Sequence, residues 1–192
     1  MAKPQQVIKL RVTYKDVFSV KGLYKVLRQW LAEEGYCGLD STDKWIENLY
    51  VERIGANGGK EIWIWWRTSK EVDGNFKFIL NVDFHLLNMQ PSEIMHEGKK
   101  MKTDVGEVDV EFYAFLQFDP KGEWDDHFFL SNPLVSKWWL NKAYKRSIDK
   151  KAEELYKDAY RLQSAMKQYL ELKAFLHEYT GKPFHPYKFP TA

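Results

Sequence analysis

Glu61-Ile62-Trp63-Ile64-Trp65-Trp66-Arg67 carries large apolar side chains at both parities of an extended chain. Side chains alternate along a strand, so Ile62, Ile64 and Trp66 face one way and Trp63, Trp65 and Arg67 the other. A sheet that is wet on one side keeps its large apolar groups off the wet face. The segment therefore predicts a β-strand whose second face has a cover. Three covers suit it: another part of the chain, a second copy, or a ligand.

Working outward, residues 45–54 read as the strand before it. The turn Gly55-Ala56-Asn57-Gly58-Gly59 follows, because Asn-Gly and Gly-Gly reach positive φ at little steric cost. The core strand itself spans 61–69, and Asp73-Gly74-Asn75 turns the chain again. In 76–86, Phe76, Phe78, Leu80, Val82, Phe84 and Leu86 share one face, opposite Lys77, Ile79, Asn81, Asp83 and His85. Residues 93–104 predict a small hairpin turning at Glu97-Gly98-Lys99. A long strand over 106–119 sets Val108, Val110, Phe112, Ala114, Leu116 and Phe118 against Asp109, Glu111, Tyr113, Phe115 and Gln117. Short turns between successive strands imply an antiparallel meander. Ile79, Tyr113 and Phe115 have the parity to join Trp63 and Trp65 in one aromatic patch, which makes these five a candidate interface.

Helices flank the sheet. Residues 6–14 read as a first strand. Asp16 then caps a helix reaching about residue 34, with Val20, Leu23, Tyr24, Leu27, Trp30 and Leu31 on one stripe. Gly35 stands where such a helix stops, and Gly22 weakens it slightly. From 134 to 179 there is no Pro or Gly. There Ile148, Ala152, Leu155, Ala159, Leu162, Met166, Tyr169 and Leu176 follow alternating four- and three-residue steps, a heptad-like seam. A helix of about 45 residues would run roughly 65 Å at about 1.5 Å per residue, so part of it projects or bends. Gly181 and Pro183 end it, and an aromatic tail follows. The fold class is α+β: an antiparallel sheet of about five strands, one N-terminal helix on its core face and a long C-terminal helix. The chain divides into a sheet domain (1–122), a long helical region (123–181) and an extended tail (182–192).

Composition narrows the function. A net charge of +2 in 192 residues argues against a nucleic-acid binder that works by bulk charge. Asp83, Asp109 and Glu111 on the second sheet face argue the same way. The single Cys37 excludes an internal disulfide and a multi-cysteine zinc site. No run of about 18 apolar residues is present to span a membrane as a helix. The polar start predicts no signal sequence, and the expected location is cytoplasmic. Gly55–Gly59 does not fit a phosphate loop: Ile54 stands five before Gly59, and Glu61 where Ser or Thr is required. No nucleophile elbow, zincin motif or dinucleotide fingerprint appears, so no cofactor or metal is expected. One acid/histidine cluster is conceivable, at Asp83, His85, Asp109 and Glu111; a solvated polar face is the plainer reading. Trp138 and Trp139, ahead of Lys142, Lys145, Arg146, Lys150 and Lys151, fit either a core-docking helix or one lying in a membrane interface.

Lys21-Gly-Leu-Tyr-Lys-Val-Leu-Arg-Gln-Trp-Leu-Ala-Glu-Glu-Gly-Tyr36, together with Gly98-Lys-Lys-Met-Lys-Thr-Asp-Val-Gly-Glu-Val-Asp-Val-Glu-Phe112, resembles small uncharacterised archaeal proteins. In those proteins a similar helix precedes a sheet and a long C-terminal helix follows. The resemblance implies an archaeal, cytoplasmic origin and brings no activity or catalytic residue. The resulting expectation is a non-enzymatic scaffolding protein that forms a homo-oligomer. Its contacts are expected at Trp63, Trp65, Ile79, Tyr113, Phe115, Trp138, Trp139 and the seam residues Leu155, Leu162, Met166 and Tyr169. The alternatives are a ligand- or membrane-interface-binding module and an enzyme built on the acid/histidine cluster.

Overall fold

The computed structural model describes residues 4–37, 46–55, 57–96, 99–120, 142 and 144–175. Within them the chain forms β1 (Gln5–Phe18), α1 (Val20–Glu33), β2 (Glu47–Ile54), β3 (Lys60–Asp73), β4 (Phe76–His96), β5 (Lys99–Phe118) and α2 (Lys145–Phe175). The five strands make one antiparallel sheet in the order β1-β5-β4-β3-β2. The meander predicted from β2 to β5 is present. β1 and β2 lie at opposite edges, so α1, which joins them, has to cross the sheet. The protein is of the α+β class.

Several strands outrun the lengths read from the sequence. β4 and β5 have 21 and 20 residues. The hairpin expected over 93–104 is the far end of this same ribbon, with Ile94 opposite Met101 and His96 opposite Lys99. A bulge marks the change: Leu87 pairs with Glu107 and Gln90 with Val105, so Asn88 and Met89 oppose Gly106 alone. Asn88 takes a positive φ of 50°. Gly106 has no room for a Cβ, which would stand 2.9 Å from the Leu87 carbonyl oxygen. The turn before β3 is as expected, with Gly58 at φ +76° and the Gly55 N–H donating to the Gly59 oxygen at 2.8 Å.

The helix start moves for a related reason. Because β5 continues back to Lys99, β1 keeps a partner as far as Phe18, opposite Asp104. Asp16 therefore sits in the strand, and Ser19 is the cap, its Oγ accepting from the Gly22 N–H at 3.2 Å. Gly35 stops α1 as expected, at φ +77°. The Tyr36 N–H donates to the Leu31 oxygen and the Gly35 N–H to that of Ala32, the paired bonds of a Schellman end.

That end aims Tyr36 into the core, where its hydroxyl donates to Asp158 Oδ2 of α2 at 2.8 Å. Burial, reinforced by the Asp158 carboxylate, pushes the Tyr36 phenol far above its ordinary value. Arg161 closes the network on Asp158 and Glu34 at 2.7 and 2.8 Å. Gly22 also proves to be a contact point: a Cβ there would overlap the Tyr169 hydroxyl, which itself donates to the Ser19 carbonyl.

One hydrophobic core joins the Ile62, Ile64 and Trp66 face of the sheet to both helices. Leu23, Leu27 and Leu31 of α1 and Leu155, Ala159, Leu162, Met166 and Leu170 of α2 enter it. α2 packs against β1, β5 and α1, and Tyr24 of α1 meets the Trp66 ring edge-on at 4.7 Å. The described part of the C-terminal helix thus lies on the sheet face opposite Trp63 and Trp65. Leu155, Leu162 and Met166, expected at a contact between copies, are fully buried in their own chain, and Tyr169 packs against the same core. A 14-residue α1 covers only part of a five-stranded sheet, and the seam completes the cover. Trp138, Trp139 and residues 176–192 lie outside the described residues.

Candidate functional site: the outer sheet face

The face bearing Trp63 and Trp65 follows from cross-strand register. One row runs Leu49, Trp65, Asp83, Glu111, Arg11 from β2 to β1; the next runs Val51, Trp63, His85, Asp109, Thr13. Arg67, Asn81, Tyr113 and Lys9 form a third row, and Ser69, Ile79, Phe115 and Gln6 a fourth. Trp63, Trp65, Ile79, Tyr113 and Phe115 therefore share a face. They fall into two groups, Trp63 with Trp65 on β3 and Ile79 with Tyr113 and Phe115 on β4 and β5. Asp83 and Asn81 of β4 stand between the groups.

Cations lie over the rings. Arg53 of β2 sits 5.3 Å from the centroid of Trp63, and His85 of β4 stacks on that ring at 5.0 Å and 15°. Arg67 lies over Trp65 at 5.5 Å and Lys9 over Tyr113 at 4.9 Å. Phe115 stacks beside Tyr113 at 6.5 Å and 10°. Guanidinium groups and lysine stems shield aromatic rings while keeping their charge in water. The cover looked for over this face is thus partly supplied by the face itself. Trp65 nonetheless remains 42% exposed.

Those cations also hold the carboxylates. Arg11 pairs with Asp109, with Nε 2.8 Å from Oδ1, and Thr13 adds a hydrogen bond at 3.0 Å. Lys9 meets Glu111 at 2.9 Å, Tyr113 donates to the same carboxylate, and Arg67 pairs with Asp83. Most of these links are diagonal to the register, joining each residue to the neighbour two places from its direct partner. The Arg11 bond holds the Asp109 carboxyl below its ordinary value; Tyr113 and Lys9 do so for Glu111. The acidic strip read from the sequence is therefore neutralised, one cation to each of these carboxylates.

Asp83, His85 and Glu111, the proposed acid/histidine site, share the face without converging. His85 Nε2 bonds Glu61 at 2.9 Å, while Asp83 and Glu111 are engaged by Arg67 and by Lys9 with Tyr113. No group of three or more His, Cys, Asp or Glu among the described residues is placed to hold a metal ion. Cys37 is half-buried beside the Arg28 carbonyl, and burial raises its thiol above the ordinary value, which disfavours the nucleophilic thiolate. No helix among the described residues is long and apolar enough to cross a membrane. What sequence reasoning missed is the role of Arg53, Arg67, Lys9 and Arg11; only Arg67 had a local signal, two places from Trp65 on the same strand, while Arg53 and Lys9 reach their rings from neighbouring strands. Neither the protein-family models nor the curated proteins contain a match to this chain.

Proposed function

We propose that the protein is a non-enzymatic scaffold that self-associates through the outer sheet face. The observation that carries this reading is Trp65, 42% exposed beside Trp63 on a face where Asp83, Asp109 and Glu111 are each paired with a cation. A surface that meets its own copy across a two-fold axis must not repel itself, and paired charges satisfy that condition. Large exposed apolar groups on such a surface favour contact over solvation. The area is adequate. Five strands about 4.8 Å apart span about 24 Å with their side chains, and the run from Glu61 to Glu71 is about 35 Å long. The product is about 800 Å² a side, the size of a standard specific interface. Nucleic acid is a poorer partner, because Lys9, Arg11 and Arg67 are already held by carboxylates.

Sedimentation equilibrium at micromolar concentration tests the reading. The wild-type chain should sediment as a dimer or larger species, and Trp65→Glu, which places an unpaired carboxylate in the contact, should sediment at a clearly lower mass. A wild-type monomer at these concentrations would overturn it.

A further inference from the structure

We propose that β2 is a second contact surface for another copy of this chain, the two β2 strands pairing antiparallel about a two-fold axis through Val51. Among the described residues β2 is bonded to β3 alone and stands at the sheet edge. Residues of an antiparallel strand alternate between directing their N–H and C=O at one neighbour and at the other. The Gly55 N–H bond to the Gly59 oxygen sets the phase. Counting back from it, Arg53, Val51 and Leu49 serve β3, while Tyr50, Glu52 and Ile54 present their backbone groups at the edge away from β3. The same three residues have exposed side chains, Tyr50 at 52% and Ile54 at 71%. An edge carrying exposed apolar groups is a template for another strand.

Charge disfavours the neighbouring register centred on Glu52. With the axis at Val51, Tyr50 faces the partner's Glu52, and no two like charges are opposed. One residue further on, Glu52 would face the partner's Glu52. The Tyr50 hydroxyl already donates to Glu52 Oε2 at 3.1 Å in its own strand, and pairing sets a second carboxylate opposite it. Val51 neighbours Trp63 in the β2–β3 register, so Val51 beside the partner's Val51 makes an unbroken apolar row between the two Trp63 rings. The pairing stands on the edge alone. That the assembly extends rather than closing at a dimer rests on the outer-face reading as well, since two different two-fold contacts on one chain propagate unless their axes meet.

Disulfide trapping tests it, in a Cys37→Ser background to remove the native thiol. In the Val51-centred pair the two Val51 side chains occupy a non-hydrogen-bonded position, within reach of a disulfide. Val51→Cys should form a covalent dimer under mild oxidation at least tenfold faster than Ile54→Cys, which is more exposed but faces residue 48 of the partner. Adding Glu52→Pro, which removes a donor from the edge away from β3 only, should abolish the trapping while leaving the circular dichroism spectrum unchanged. Equal rates for the two cysteines, or trapping that survives Glu52→Pro, would overturn the edge pairing. Trp65→Glu should leave the trapping rate unchanged, so failure of the outer-face contact and failure of the edge contact give different results.

Discussion

A hydrogen atom is required at Gly22 because Tyr169 of α2 lies against it, with Cζ 3.0 Å from where a Cβ would stand. In sequence this glycine reads only as a weak point in a helix. Alanine there gains up to about 1 kcal/mol of helix propensity, but overpacking costs about 1–3 kcal/mol. Gly22→Ala is therefore expected to destabilise by up to about 2 kcal/mol on balance, measured by urea denaturation, and Tyr169→Phe should reduce that cost. Tyr36 is the counterpart at the other end of α1. Tyr36→Phe removes the donor to Asp158 and is expected to cost about 1–2 kcal/mol, with Arg161 still holding the carboxylate. The Gly35 stop was legible because a positive φ has a residue signature; the partner of Tyr36 was not, since it lies 122 positions away.

Elements on the outer face respond to pH through their paired carboxylates. Asp109 and Glu111 are held below their ordinary values by Arg11, Lys9 and Tyr113. A depressed carboxyl contributes stability that is fully present above its unfolded value and is lost as pH falls through the folded one. Stability is thus expected to fall from about pH 4 downward, near the unfolded values of these groups. Arg11→Gln should lower the urea midpoint at pH 7 and flatten the loss between pH 4 and 2. The strands themselves were readable from alternation, since Phe76 to Leu86 and Val108 to Phe118 keep period two without a break. Their ends were not. β1 runs past Asp16, and β4 past Leu86, only because β5 is there to pair with them.

The whole molecule is one core closed by two helices, and its C-terminal helix is expected to behave as part of that core. Leu162→Ala should cost about 2–5 kcal/mol, as a buried leucine does, and should leave the sedimenting mass unchanged. A lowered mass would place the seam between copies instead. The heptad-like spacing of Leu155, Leu162 and Met166 could not distinguish a partner helix from a sheet, because both present an apolar surface at about the same distance. What decided it is area: α1 leaves the β1 and β5 side of the core face bare, and α2 occupies that side.

Alternation, turn residues and helix stops determined the class of this protein, its strand sequence and the five apolar residues of the outer face, because each of those signals acts over a few residues. Tertiary structure alone decided which face α2 covers and which cations lie over Trp63, Trp65 and Tyr113. Those outcomes depend on register between strands far apart in the chain. Local periodicity carries no information about such a register, and a shift of one residue would exchange the two faces.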